Sequence, residues 1–192
     1  MRAEVKTVYF ENPGAENTDE VLRIAKQRAE ELGIKTIVVA STRGYTAVKA
    51  MEAFKGLRVI AVSTATGAHE PDVQAFKEEN RKIVESKGGT ILTTTHAFAG
   101  VSRALQLKFE TMAIGEIIAN VLRIFGHGMK VACEITMMAA DAGLVRTDET
   151  VIAIGGSGGG GLGADTAIVL NPVNAHNFFD LKIKEILCKP HF

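Results

Sequence analysis

The chain has 192 residues, with 22 basic against 22 acidic side chains and 46% hydrophobic residues. That length suits one domain with a full core, and the balanced charge leaves no basic footprint for a nucleic acid. No apolar run reaches membrane-spanning length and the first residues lack a signal-peptide core, so a cytoplasmic protein with neither nucleic-acid nor membrane partners is expected. The two cysteines, Cys133 and Cys188, lie far apart without a CxxC partner. They read as buried or incidental thiols, not as a disulfide or a metal site.

Residues 6–10 (KTVYF) read as a short strand. Pro13 and Gly14 then form a turn, and Asn17 with Glu20 three positions on has the form of a capping box. The helix it opens spans 18–32, with Val21, Leu22, Ala25, Ala29 and Leu32 on its inner face and Gly33 as its stop. Residues 35–40 form a second strand whose run IVVA is apolar without alternation, as in a strand covered on both faces.

The turn STRGYT follows and leads into a helix over 46–55. It is the first candidate site. In an open α/β sheet, ligands bind outside the carboxyl ends of the strands, and a helix starting there offers free N–H groups and partial positive charge. Ser41, Thr42 and Thr46 add hydroxyls, Arg43 a guanidinium, and Gly44 room for close approach, with Tyr45 inside the same turn. A phosphate is the ligand group such a turn suits.

A third strand over 57–63 ends in a second small-polar loop, STATG, which adds Ser63 and Thr64 to the same expected cleft. A helix is expected over 72–87, with Val73, Phe76, Ile83 and Val84 inward, and then a short strand over 90–93. The stretch that follows is the least readable and holds His96 and Arg103, with a short helix near 101–105. Two further helices are expected. The first, over 111–125, turns Ile114, Ile117, Ile118, Val121 and Phe125 inward. The second, over 129–142, turns Val131, Ala132, Ile135, Met138, Ala139 and Ala142 inward and carries Glu134, expected on a solvated face.

Strands over 150–155 and 166–170 flank the tract GSGGGGLGAD. About ten residues are too few for a parallel crossover, so this pair should be antiparallel. The tract matches GxGxxG in form but runs into a strand where a dinucleotide fingerprint must open a helix. Its glycines Gly155, Gly156, Gly158 and Gly159, with Ser157, point to close approach of a ligand or of another backbone. The tail is ambiguous: Leu181 and Ile183 alternate with lysines, as in a half-exposed edge strand, which is the reading preferred, while Ile183, Ile186 and Leu187 also fit a short helix.

The strand–helix alternation implies an α/β fold, a three-layer α/β/α sandwich with a mostly parallel sheet and an antiparallel last strand. It forms one domain over 1–192. No histidine or cysteine spacing matches a metal motif. No catalytic set is assignable from spacing. His96, Arg103 and Glu134 are the candidates for substrate contact.

Two segments, VVASTRGYTAVKAMEAFKGLRVIAVS and VIAIGGSGGGGLGADTAIVL, resemble the C-terminal α/β domain of pyruvate kinase. In that family the matching turn binds the phosphate of a sugar-phosphate effector, which carries over to Ser41, Gly44 and Thr46. Arg43 stands where the family motif has serine. The chain as a whole looks most like stand-alone archaeal and bacterial proteins of this superfamily, and that resemblance implies FMN as the bound ligand. A flavin phosphate at STRGYT with its ring toward the glycine loop is the arrangement expected. Pyruvate kinase activity is not expected, because the catalytic barrel alone takes about 250 residues. The resemblance leaves open a flavin-dependent oxidoreductase, a non-catalytic module sensing a sugar phosphate or nucleotide, an interaction protein without a ligand, and a homo-oligomer.

Overall fold

The computed structural model describes residues 4–157 and 162–191. Among these residues seven strands form one sheet: β1 (Val8–Phe10), β2 (Thr36–Ala40), β3 (Arg58–Ser63), β4 (Thr90–Thr93), β5 (Val151–Gly155), β6 (Thr166–Asn171) and β7 (Lys182–Pro190). Their order across the sheet is β1-β7-β6-β5-β2-β3-β4. β6 runs antiparallel to both neighbours, while the β1–β7, β5–β2, β2–β3 and β3–β4 pairs are parallel. The short connection from β5 to β6 therefore makes a hairpin, as its length requires.

Among the described residues there are six α-helices, α1 (Thr18–Leu32), α2 (Tyr45–Ala53), α3 (Glu78–Ser86), α4 (Gly100–Phe109), α5 (Ile114–Arg123) and α6 (His127–Asp141); α1, α2, α3 and α6 pack on the sheet, α5 packs on α6 and α4 on α5. One core joins α1, α2 and α3 to the sheet through Val21, Ala25, Ala47, Phe54, Val84, Ile37 and Ile154. The other core packs α6 on the opposite face, with Met129, Ala132, Ile135 and Met138 against Val38, Ile60 and Ile168. Val38 points to one core and Ile37 and Val39 to the other. This alternation is why β2 had to be apolar throughout. Among the described residues no helix is long and apolar enough to cross a membrane.

The structure departs from the sequence expectations at several elements. The capping box does not form. A 3-10 turn over Ala15–Asn17 feeds straight into α1, Asn17 is already helical, and its amide donates back to the Asn12 carbonyl at 2.8 Å. Glu20 binds Arg23 instead, and Leu32, at the end of α1 just before Gly33, is exposed where the spacing placed it inward.

The helix expected over 72–87 begins only at Glu78. Asp72 has φ +64°, and Gln74 ties the loop down by donating to the Thr64 carbonyl and accepting from the Phe76 N–H. Val73 and Ile83 are consequently exposed, whereas Phe76 and Val84 are buried.

The short helix near 101–105 is the ten-residue α4, none of it buried. In α5 only Ala119 is buried, and the stripe Ile114, Ile117, Val121 and Phe125 faces outward. Amphipathic spacing identifies a helix with one apolar face and does not say what covers that face.

α6 is buried along most of its length, Glu134 included, and Ala142 lies exposed beyond its end. The tail strand β7 is an edge only in part. β1 pairs with Cys188, Lys189 and Pro190, so only the stretch before them keeps a free outer side.

Candidate functional site

After β2 the chain crosses to α2 on one face of the sheet, whereas β5 is entered from α6 on the other. Between the carboxyl ends of β2 and β5 the connectivity therefore reverses sides, which opens a crevice in sheets of this kind. A cleft of about 330 Å³ lies there. Its floor comes from strand ends, Ala40, Ser41 and Thr42 after β2, Val62, Ser63 and Thr64 at β3, and Gly156 after β5. α6 supplies one wall through Lys130, Val131, Glu134, Ile135 and Met138, and His96 and His127 border it. The size is near the lower end of small-molecule sites, roughly 300–1,000 Å³.

The β2–α2 turn is built for backbone donation. Ser41 is buried, its N–H donates to the Val62 carbonyl at 3.0 Å, and its hydroxyl accepts the Ala47 N–H at 3.2 Å. That hydroxyl satisfies one orphan donor of α2 and keeps its own hydrogen to give. Among the described residues, the backbone N–H groups of residues 42–46 make no hydrogen bond. Those of residues 44–46 belong to the cap and first turn of α2, where free N–H groups concentrate partial positive charge, and those of residues 42 and 43 lie in the turn before it.

Gly44 has φ +92°, and a Cβ there would meet Asn80 Cβ at 2.5 Å and the Phe76 ring at 2.7 Å. The close approach it permits is to α3 and the loop before it. Asn80 also donates to the Arg43 carbonyl at 2.9 Å. Arg43 and Tyr45 are exposed and Thr46 is buried; none of the three lines the cleft.

Of the second loop, Ser63 is committed to the sheet through Thr93 Oγ1 at 2.7 Å. Thr64 differs: its Oγ1 is buried and has no hydrogen-bond partner among the described residues. An orphaned buried hydroxyl costs free energy unless something binds it.

The glycine loop is organised by Asp165, which is wholly buried. Its carboxylate accepts from the N–H of Ser157 at 2.8 Å, the N–H of Gly14 at 3.1 Å and the Thr166 hydroxyl at 2.8 Å. Ser157 Oγ also accepts the Gly128 N–H at the start of α6. The described glycines are explained by neighbouring backbone. A Cβ on Gly155 would lie 2.3 Å from the Gly128 carbonyl, and one on Gly156 2.3 Å from the Gly163 carbonyl. Gly156 still lines the cleft, Gly155 and Ser157 do not, and Gly158 and Gly159 lie outside the described residues.

Two of the three weaker candidates meet at the α6 wall. Glu134 receives Lys130 Nζ in a buried ion pair and accepts the Phe98 N–H at 3.1 Å. His96 Nδ1 lies 3.7 Å from the same carboxylate. Burial holds the His96 pKa below its ordinary value against the pull of Glu134, with Lys130 adding to the depression. His127 is lowered likewise, by burial first and then by Arg123 and Lys130. Both rings are therefore neutral near pH 7. Arg103 sits elsewhere, on exposed α4, where it binds Gln106.

Lys130 was missed in the sequence. Its i,i+4 spacing to Glu134 on one helix was the available signal. Asp165 carried none, because its partners Gly14 and Ser157 are set by the fold. Cys133 and Cys188 are buried free thiols, each pushed up to about 12 by burial. Among the described residues no group of three or more His, Cys, Asp or Glu could hold a metal ion.

The family model "Pyruvate kinase, alpha/beta domain" matches residues 19–170. A pyruvate kinase from Cryptosporidium parvum is similar in structure at 13% identity, over 81% of this chain and 22% of that one, with a TM-score of 0.41. A Cryptosporidium parvum pyruvate kinase in complex with ADP gives 12% identity, 87% and 23% coverage, and a TM-score of 0.40. The chain thus spans about a fifth of the length of the pyruvate kinases it matches.

Proposed function

The chain belongs to the pyruvate kinase alpha/beta-domain family, and we propose that it binds a phosphorylated small molecule, FMN, in the cleft between β2, β5 and α6. The observation that carries this reading is the pairing of unsatisfied donors at one rim. The N–H groups of residues 42–46, of which Thr42 lines the cleft, make no hydrogen bond among the described residues, and the hydroxyl of Thr64, which lines it too, is buried without a partner among them. A phosphate answers the first need, and a polar edge of a ligand answers the second.

The residues present fit the rest of that ligand. Val131, Ile135 and Met138 give the α6 wall an apolar surface for a planar ring. Ser41 and Thr42 would hold the phosphate side, with Thr64 and Lys130 as further donors. FMN, when bound, would supply redox capacity. This chain's own contribution would be to hold the phosphate, exclude water along α6, and keep a neutral His96 beside the Lys130–Glu134 pair. That last grouping favours a flavin-dependent oxidoreductase over a passive sensor, because retention of a ligand alone does not call for it.

Quenching of flavin fluorescence tests the proposal. FMN should bind at least about tenfold more tightly than riboflavin, which lacks the phosphate. Thr64→Val should weaken FMN by several-fold to about tenfold, the worth of one buried hydrogen bond. Equal affinity for FMN and riboflavin, or no quenching by either at about 1 mM, would overturn it.

A further inference from the structure

Among the described residues, ten of the nineteen exposed large hydrophobic side chains lie between positions 101 and 125, on α4, α5 and their connections. Val101 is 78% exposed, Ile114 76% and Ile124 77%, values expected of side chains with nothing against them. On α5, Ile114, Ile117, Val121 and Ile124 follow one another at helical spacing and make one continuous stripe. α4 buries no residue of its own. A ten-residue helix is marginal in water without a packed face, so α4 requires a cover that one copy of the chain does not provide.

We propose that this cover is the same surface of a second copy, with α4 and α5 of two chains packing about a two-fold axis. The area is sufficient. Ten large apolar side chains, each about half or more exposed, offer an area on the order of the roughly 800 Å² per partner of a standard interface. The charges favour a like partner over a charged one. Arg123 is engaged by Glu116 at 2.8 Å and Asn120 at 2.7 Å, and Arg103 by Gln106 at 2.7 Å. No unpaired block of one sign is left for an acidic or basic partner to read. The chain's net charge of zero removes long-range repulsion between copies. An isologous contact also closes on itself, so the patch would be consumed without forming fibres. The proposal stands apart from the ligand reading and survives its failure.

Light scattering of the full chain at micromolar concentration tests it. The expected mass is a dimer, and Leu107→Glu with Ile117→Glu should raise the dissociation constant by at least about a hundredfold. Should that variant not fold, single-cysteine cross-linking decides. Both native thiols are buried, so Ile117→Cys should form a disulfide-linked dimer on mild oxidation while Glu79→Cys on α3 should not. A chain that stays monomeric at about 100 µM overturns the proposal. So does a dimer indifferent to the charged pair, and so does a monomer that binds anionic vesicles through this face.

Discussion

The Lys130–Glu134 pair allows a sharp test of how the α6 wall is held. Lys130→Met removes the cation and leaves the carboxylate, only 3% exposed, with the Phe98 N–H as its remaining close partner. Breaking a buried pair from one side costs about 3–5 kcal/mol, because an uncompensated charge stays behind. The pair opens onto a cleft that admits water, so the low end applies, about 3 kcal/mol. For a domain of this size that corresponds to a fall in Tm of roughly 6–12 °C. The double variant Lys130→Met with Glu134→Gln removes both charges and keeps an amide oxygen for the Phe98 N–H. It should recover most of the loss, since replacing both partners of a buried pair is often neutral. Urea denaturation of wild type, both single variants and the double variant gives the coupling energy directly. A double variant no more stable than Lys130→Met would refute the reasoning, because the penalty would then not come from a stranded carboxylate.

Three further outcomes follow from the same packing. Gly44→Ala should destabilise by about 2–4 kcal/mol, combining a backbone at φ +92° with a Cβ forced against Asn80 and Phe76; a thermal melt checks it. Asp165→Ala strands the N–H groups of Gly14 and Ser157 and should cost about 2–5 kcal/mol, with hydrogen exchange at Ser157 accelerating more than exchange in α1. His96 and His127 have pKa values held below the ordinary value by burial, so the unfolded chain takes up protons that the folded chain refuses. Their contribution is intact above about pH 6.5 and is lost as pH falls below it. His96→Gln with His127→Gln should therefore lose less stability than wild type between pH 7 and pH 5 in urea titrations.

Where local pattern and tertiary packing agreed, the sequence could be read. The runs at β2, β3 and β5 are apolar because helices cover both faces, and the short link to β6 allows only a hairpin. α6 was legible as a helix because its apolar positions recur every three to four residues. The burial of Glu134 was not legible, since a carboxylate on a helix is read as solvated until its cation is found. The segment around Asp72–Phe76 failed for another reason. Gln74 replaces helical hydrogen bonds with side-chain bonds to Thr64 and Phe76, and no periodicity reports that. At the site, the Ser41–Thr42 turn and Thr64 were visible as small-polar residues after apolar runs. The glycines were visible but misleading in part, because Gly44, Gly155 and Gly156 make room for the protein's own atoms.

The central claim is that the β2–α2 turn seats a phosphate. Amide NMR of the 20.5 kDa chain, titrated with FMN and separately with riboflavin, addresses it at the atoms concerned. The N–H resonances of residues 42–46 should shift with FMN and stay in place with riboflavin, while α6 residues such as Val131 and Ile135 respond to both. Shifts confined to other parts of the chain, with residues 42–46 unmoved by FMN, would contradict it.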